Sequence, residues 1–448
     1  MTSVSQARSR GLSYQELLDS DTRAVPPVLR LDAPADLGHD DKPVERYVTR
    51  EFHELEVELL WKKVWQMACR EEDIPDVGDT IVYSIAHLSI LIVRSAPDSI
   101  KAFYNACLHR GRLLRDEDGH TSELRCPFHG YCWNLDGSLK QIPAEWDFPH
   151  VDPDEFHLPE VRVGTWGGFV FVNLDPGCEP LDAFLGDLAE HFARWPLEER
   201  FKEVHVAKVL RCNWKVAQEA FMEAFHVVAT HPQLLAGIGD ANSQYDVFGT
   251  FSRAITANGT PSPHLAYTPS EQERFDAMTD RRLDEPPVFE LSDGITARQA
   301  AAMGARMQLA PVIGQDAADA LCDAELVDSF YYTLFPNFHP WGAFNRIVYR
   351  FRPNGDRHDE SIMECMYLSP FTGDRPRSAP VHWLGPDDDW TNAPELGFLA
   401  RVFNQDTFNL SKVQLGLRTT SKPGVTLSLY QETKIRHFHR LLEQQLGL

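Results

Sequence analysis

Two groups of residues in this sequence have the types and spacing needed to bind metal. One lies in Phe221-Met-Glu-Ala-Phe-His-Val-Val-Ala-Thr-His-Pro232, where Glu223 precedes His226 by three residues and a second histidine follows at His231. On a helix, three steps of about 100° bring Glu223 and His226 to one face. Five steps leave His231 roughly 140° away from His226. Pro232 offers a way round this, because it pushes the residue before it out of the α region. His231 is therefore expected just past the helix end, folded back toward His226. Two neutral imidazoles converging in this way are typical ligands for iron, zinc or copper.

The second group lies upstream, in Cys107-Leu-His109-Arg-Gly111 and Cys126-Pro-Phe-His129-Gly130. Each half offers one thiolate and one imidazole from a tight loop containing glycine, so four ligands can converge between two loop tips. A structural zinc site also uses two cysteines and two histidines, but it usually places like ligands on one knuckle. Mixed Cys/His loops are what a Rieske [2Fe–2S] centre requires, with two thiolates on one iron and two imidazoles on the other.

From about Tyr47 onward the chain resembles the Rieske non-haem iron oxygenases, specifically the terminal oxygenase or α subunit of aromatic-ring-hydroxylating systems. The resemblance rests on Cys107-Leu-His-Arg-Gly-Arg112, Cys126-Pro-Phe-His-Gly-Tyr131, Gly164-Thr-Trp-Gly-Gly-Phe-Val-Phe-Val-Asn173, Asn213-Trp-Lys-Val-Ala-Gln-Glu219, Glu223-Ala-Phe-His226, His231 and Asp406. It implies cluster ligands at Cys107, His109, Cys126 and His129, with the two histidines on the solvent-facing iron. It implies mononuclear Fe(II) held by His226, His231 and a late carboxylate, for which Asp406 in Phe403-Asn-Gln-Asp406 matches. Iron that activates O2 takes two histidines and one carboxylate on one face, leaving open positions opposite. Asp388 and Asp389, near Trp390, are competitors for that carboxylate. Glu223 falls where the family has a bridging carboxylate, usually Asp. Neither Leu108 nor Phe128 is Cys, so the loop-linking disulfide of respiratory Rieske proteins is not expected. Cys132 lies close to the second cluster loop, and Cys69, Cys178, Cys212, Cys322 and Cys365 read as inert buried thiols.

The elements that must position these groups follow from periodicity. Residues 1–45 read as an extended arm broken by Val25-Pro-Pro27 and Ala33-Pro34. A helix is expected over 49–64, followed by short strands at 81–83, 89–93, 101–104 and 168–173, making an all-β Rieske domain over 46–176. The remainder, 177–448, reads as an α+β catalytic domain: an antiparallel sheet with helices, of helix-grip type. Helices are expected over 182–195, 216–230, 297–309, 396–415 and 427–446, and strands at 204–210, 329–335, 345–352 and 361–368. Residues 235–325 have poor periodicity and read as a lid or binding element. Phe221, Phe225 and Phe398 are expected to line an apolar pocket.

With 448 residues and a formal charge of −23, the chain is not suited to nucleic acid or anionic membrane surfaces. Its first ten residues lack an apolar signal core, and a reducing cytoplasm fits eight unpatterned cysteines. There is no Gly-x-Gly-x-x-Gly dinucleotide fingerprint, so electrons from NAD(P)H are expected to arrive through a separate ferredoxin or flavin reductase. Arg110, Arg112 and Arg115 make the first cluster loop a candidate dock for an acidic donor. The resemblance further implies a homotrimer, or a trimer with small β subunits, and O2-dependent hydroxylation of an apolar aromatic substrate. Monooxygenation or oxidative N- or O-demethylation is the alternative within the family. A Rieske electron carrier or zinc-stabilised binding protein is the alternative outside it.

Overall fold

The computed structural model describes residues 11–281, 285–286 and 289–448. The first ten residues, and five positions of the 235–325 stretch, lie outside the described residues. Contacts divide the chain into two units. Glu54–Phe184 with Asn354–Arg357 form the smaller; residues through His53, Leu185–Pro353 and His358–Leu448 form the larger.

The smaller unit is built on a seven-stranded sheet in the order Gln66–Arg70, Phe169–Asn173, Glu160–Trp166, Ser99–Tyr104, Leu88–Ala96, Asp79–Ile85 and Gly119–His120. A second sheet of three short strands, Leu124–Arg125, Cys132–Trp133 and Leu139–Gln141, completes it. Leu91, Val93, Phe103, Leu124 and Trp133 share one core cluster with Cys107 and Cys126. The candidate thiolates are thus rooted in the core while their loops project from it. This unit runs past residue 176, where the sequence placed its end, for a packing reason. Gly164 has no side chain, and a Cβ there would come within 2.8 Å of Leu181. That vacancy lets the turn Leu181–Leu185 pack onto the strand Glu160–Trp166.

The larger unit carries an eight-stranded sheet in the order Gln244–Phe248, Phe251–Thr256, Ser329–Leu334, Phe338–Pro340, Ile347–Asn354, Arg357–Pro370, Arg200–Leu210 and His382–Leu384. Arg200–Leu210 pairs antiparallel with Arg357–Pro370 and parallel with His382–Leu384. The sequence reading missed the first two strands, which form a hairpin closed by Gly249-Thr250 between the paired residues Phe248 and Phe251. Helix Leu399–Thr419 buries Ala400, Phe403, Asp406, Leu410 and Gln414, one helical stripe at spacings of three and four. Helix Thr433–Leu446 is nearly engulfed over its first two turns. No helix among the described residues is long and apolar enough to cross a membrane.

The arm is not simply extended. A capping box between Ser13 and Glu16 starts a one-turn helix, Tyr14–Leu18, that buries Tyr14, Leu17 and Leu18. The buried pair Arg253–Asp246, 2.6 Å apart, anchors the next stretch. Arg253 donates to the carbonyls of Val28 and Leu31, and Asp246 accepts from Ala33 N–H. Asp246→Ala would strand a buried guanidinium and should destabilise the larger unit by about 3–5 kcal/mol. Chemical denaturation would measure this, and early proteolysis within residues 24–36 should accompany it. An unchanged midpoint would mean that the arm is held by other contacts.

Candidate metal centres

The two Cys/His loops are copies of each other in backbone. Cys107 N–H donates to Arg112 O at 2.8 Å and Gly111 N–H to Cys107 O at 2.9 Å. Cys126 N–H donates to Tyr131 O at 2.8 Å and Gly130 N–H to Cys126 O at 3.0 Å. Gly111 and Gly130 both have positive φ, +75° and +82°, which a side chain would resist. The thiols of Cys107 and Cys126 are buried, whereas His109 is half-buried and His129 exposed. The imidazole centroids lie 4.7 Å apart.

The donor chemistry fits a [2Fe–2S] cluster. His109 Nδ1 is buried without a hydrogen-bond partner, an arrangement that costs free energy unless a metal takes the lone pair. Arg110 donates to His129 Nε2 at 2.9 Å, which leaves Nδ1 as that ring's remaining nitrogen. Burial pushes the Cys107 thiol up, while the N–H groups of His109 and Arg110 oppose that shift and favour the thiolate. All eight cysteines are free, so no disulfide joins the loops. The basic patch is partly neutralised, because Arg112 pairs with Asp116 at 2.6 Å, while Arg110 keeps its charge over the Phe128 ring.

The second centre is assembled by a break in the expected helix over 216–230. Regular helix covers Trp214–Glu219 and resumes only at Val227–Thr230. Two amides in the gap take side-chain acceptors instead of helix carbonyls. Ala224 N–H donates to Tyr245 Oη at 3.1 Å, and His226 N–H to Glu223 Oε2 at 2.9 Å. Glu223 therefore acts on its own chain with both oxygens, since Oε1 accepts from His226 Nδ1 at 2.8 Å. His231 lies at the end of the second short helix with φ −126°, ψ 52°, and its ring centroid is 5.2 Å from that of His226.

Asp406 closes the group from across the fold. Its Oδ1 is 2.7 Å from His231 Nε2 and 3.5 Å from His226 Nε2. Ligand atoms of His226, His231 and Asp406 all lie within 4.8 Å of one another. The tautomers follow from the partners. Glu223 can only accept, so His226 donates from Nδ1; Gln405 Oε1 receives His231 Nδ1 at 3.0 Å and also Gln233 Nε2 at 2.9 Å. Both Nε2 lone pairs are then directed at one carboxylate oxygen, which is repulsive unless a cation lies between them. Two imidazoles and one carboxylate on one face are the donor set of mononuclear non-haem iron, with the outer nitrogens fixed as such ligands usually are.

In the metal-free protein that cation is a proton. Burial opposes it at His226, but the Glu223 carboxylate and its hydrogen bond, with Asp406 and Asp240, outweigh burial and raise the ring to about 9. A raised folded-state pKa contributes stability that is fully present below about pH 6.5 and is lost as pH rises through about 9, on the order of 3 kcal/mol in all. Metal must displace this proton. Fe(II) affinity of metal-free protein should therefore rise about tenfold per pH unit toward pH 9 and level off above it. Anaerobic titrations at several pH values check this; a flat profile would mean that the His226 proton is not displaced.

The competing carboxylates are employed elsewhere. Asp388 accepts from Gly385 N–H at 2.6 Å, and Asp389 caps the turn Trp390–Asn392 through Thr391 N–H at 2.8 Å. Glu219, half-buried and pushed up to about 8 chiefly by desolvation, lies between Tyr47 Oη and His439 Nε2. Phe221 packs into an aromatic cluster with Tyr349, Phe351 and Phe403, whereas Phe225 and Phe398 are largely exposed. The sequence reading missed Gln405. Its signal was adjacency to Asp406: neighbouring helix positions about 100° apart can bracket one imidazole from both sides.

Comparison with known proteins agrees with this architecture. Residues 187–447 match the family model for the ring hydroxylating alpha subunit (catalytic domain), and residues 64–152 match that for the Rieske [2Fe-2S] domain. The chain is 32% identical over 195 residues to the anthranilate 1,2-dioxygenase large subunit of Acinetobacter baylyi, covering 42% of this chain and 41% of that protein. It is 31% identical over 196 residues to the glycine betaine monooxygenase oxygenase subunit of Pseudomonas aeruginosa, covering 43% and 45%. These matches span less than half the length of each relative. Among solved structures, a quaternary ammonium Rieske monooxygenase in complex with L-carnitine superposes with a TM-score of 0.63 at 16% identity, covering 90% of this chain and 95% of that one. Naphthalene 1,2-dioxygenase from Rhodococcus sp. bound to indole gives 0.59 at 20% identity, covering 90% and 94%. At such identities the likeness establishes the fold. The catalytic-domain match spans more than half of the chain, and so this chain belongs to the ring hydroxylating alpha subunit family, with a Rieske [2Fe–2S] domain preceding its catalytic domain.

Proposed function

We propose that this chain is the terminal oxygenase of a multicomponent Rieske system that uses O2 at a mononuclear iron to hydroxylate an apolar and, in the primary reading, aromatic substrate. The observation that carries the reading is the convergence of two Nε2 lone pairs on Asp406 Oδ1, in a chain that also holds two matched Cys/His loops. Cys107, His109, Cys126 and His129 would hold the cluster, and His226, His231 and Asp406 the Fe(II). Bound there, the two groups would supply one-electron transfer and O2 activation, with electrons delivered from NAD(P)H by a ferredoxin and/or flavin reductase. The chain's own residues then have defined tasks. Glu223 and Gln405 fix the two imidazole tautomers, and the helix Leu399–Thr419 holds the carboxylate away from bulk water. We assign the protein to the cytoplasm and to a homotrimer or a trimer with small β subunits.

Metal analysis and product analysis together test this. Anaerobically purified protein should hold about three irons per chain, two of them in a cluster with acid-labile sulfide. Supplied with a reductase, it should consume O2 and add two oxygens to an aromatic substrate. Addition of one oxygen, or loss of a methyl group, would favour monooxygenation or demethylation. That second reading draws support from relatives named for glycine betaine and L-carnitine. Zinc without sulfide, or three irons with no O2 consumption, would leave a binding protein or an electron carrier.

Glu223 also serves, in this reading, as the link between the iron of one subunit and the cluster histidine His129 of its neighbour. Each carboxylate oxygen keeps a second lone pair for such a donor. Glu223→Gln should lower turnover about 10- to 100-fold with metal retained. Mixed oligomers of Cys107→Ser and His226→Ala chains, each inactive alone, should regain turnover. Verified mixed trimers without activity would rule out the route between subunits.

A further inference from the structure

Asp280 holds a backbone position that is ordinarily glycine. The helix Glu271–Met278 ends in a Schellman turn, in which Asp280 N–H donates to Ala277 O and Arg281 N–H to Asp276 O, both at 3.1 Å. Asp280 occupies the left-handed position of that turn with φ +50°, a conformation that is costly for a residue with a Cβ. It is also 1% exposed, so its carboxylate is desolvated as well. Neither cost serves the turn itself, which glycine would close with less strain. The side chain is explained by what it touches.

Its contacts lead to a metal ligand. Arg401 Nε lies 3.3 Å from Asp280 Oδ2, and Gln233 Nε2 donates to Asp280 Oδ1 at 3.4 Å. Gln233 Nε2 also donates to Gln405 Oε1 at 2.9 Å, and the same oxygen accepts from His231 Nδ1 at 3.0 Å. The two amides pair in return through Gln405 Nε2 and Gln233 Oε1 at 3.5 Å. Arg401 and Gln405 are one turn apart on the helix Leu399–Thr419, so that helix grips both ends of the chain. Glutamine amides read either way, because flipping both keeps the shape and exchanges donors for acceptors. A flipped Gln405 would donate to His231 Nδ1 and put the ring proton on Nε2. That tautomer is a real competitor in the metal-free site, since its Nε2–H would donate to Asp406 Oδ1 across 2.7 Å. It cannot ligate a metal. Paired with Arg401, the Asp280 carboxylate only accepts, and this removes the ambiguity. Asp280 requires NH2 from Gln233, hence oxygen from Gln405, hence Nδ1–H from His231.

We propose that Asp280 is a positioning residue for the metal centre: it is the terminal acceptor of a directional chain, Asp280–Gln233–Gln405–His231, that fixes His231 in the tautomer able to ligate. This rests on reading His226, His231 and Asp406 as the metal centre. His226 needs no such chain, since Glu223 contacts its Nδ1 directly. What passes along the chain is direction rather than charge, because Arg401 already meets the charge of Asp280. Outer partners of this kind set the orientation and donor strength of a metal-binding imidazole.

Two substitutions of the same chemical kind separate direction from packing. In Gln405→Glu the carboxylate accepts from both His231 Nδ1 and Gln233 Nε2, so the direction survives, and Fe(II) should be held at least as tightly as in wild type. In Gln233→Glu the new carboxylate accepts from Gln405, which then turns its NH2 toward His231. Fe(II) should bind that protein about 10- to 100-fold more weakly. Asp280→Gly, whose backbone suits the turn better, should also weaken Fe(II), and Asp280→Asn, which keeps one acceptor oxygen, should fall between it and wild type. Anaerobic competition of the full-length proteins against an Fe(II) chelator gives the affinities. Cluster absorption and thermal unfolding are recorded on the same samples. Wild-type protein with no mononuclear iron would sink the metal-centre reading itself. With that iron present, unweakened Fe(II) binding in Gln233→Glu, or in Asp280→Gly where Gln233→Glu does not fold, overturns the role of Asp280. Equal weakening in Gln405→Glu overturns it too, since added charge would then account for both.

Discussion

Asp406→Ala protein should retain the absorption of its cluster, lose about one iron of about three per chain, and lose turnover by on the order of 10³-fold or more. The effect is large because the other carboxylate at the pair, Glu223, is committed to Nδ1 and the amide of His226 rather than to the Nε2 side. Asp406 is the charged member of a buried stripe, between Phe403 and Leu410, and reaches both imidazoles through one oxygen. With Nδ1 of each ring committed to Glu223 or Gln405, only the two Nε2 atoms remain as donors. Two neutral imidazoles hold Fe(II) weakly without an anionic ligand. Asp406→Asn keeps the shape and removes the charge, so it should fall between wild type and Asp406→Ala in iron retention. Iron analysis, visible absorption and O2 uptake on the same preparations decide the matter. Full iron content in Asp406→Ala would show that the carboxylate is not a ligand.

The second large effect is expected from Cys126→Ser, which should abolish visible absorption and destabilise the smaller unit, while Cys132→Ser should do neither. Both sulfurs are buried, so exposure does not separate them. Position does. Cys126 sits at the start of a loop with the same hydrogen bonds as the loop of Cys107, and the two share a core cluster. Cys132 lies in the strand Cys132–Trp133, its thiol pushed up to about 11, chiefly by burial. It remains a protonated thiol filling space. Metal sites of this size contribute on the order of 10 kcal/mol to the folding of the segments that ligate them. Losing one thiolate forfeits most of that, and thermal unfolding of the Cys126→Ser protein should begin at much lower temperature. Retained absorption in Cys126→Ser, or its loss in Cys132→Ser, would reverse the assignment.

The longer apolar strands, such as Leu88–Ala96 and Phe169–Asn173, were legible because their runs bury side chains at strand length, whereas Gln66–Arg70, Glu160–Trp166, Phe338–Pro340 and His382–Leu384 were not read. The hairpin at Gly249-Thr250 was missed although its turn and flanking phenylalanines are local signals. The arm was misjudged because its prolines were weighed and its Ser13–Glu16 capping box was not. The expected single helix over 216–230 failed for a tertiary reason. Tyr245 and the Glu223 side chain capture amides that a continuous helix would have used.

What the sequence by itself determined is the chemistry available at short range. Two Cys/His loops, each with a glycine of positive φ four residues after its cysteine, and a proline that turns His231 back toward His226 are all set within a few residues. What only the tertiary structure decided is which distant groups meet them. Asp406 reaches His231 across 175 residues of chain, and its helix stripe reads the same from sequence whether that face meets metal, core or water. The assignments of Gln405 to His231 Nδ1 and of Asp388 and Asp389 to turn capping have the same origin. So has the chain that runs from Asp280 through Gln233 to Gln405. Periodicity and capping act through neighbouring backbone groups, whereas convergence of side chains depends on which faces the sheet and helices press together.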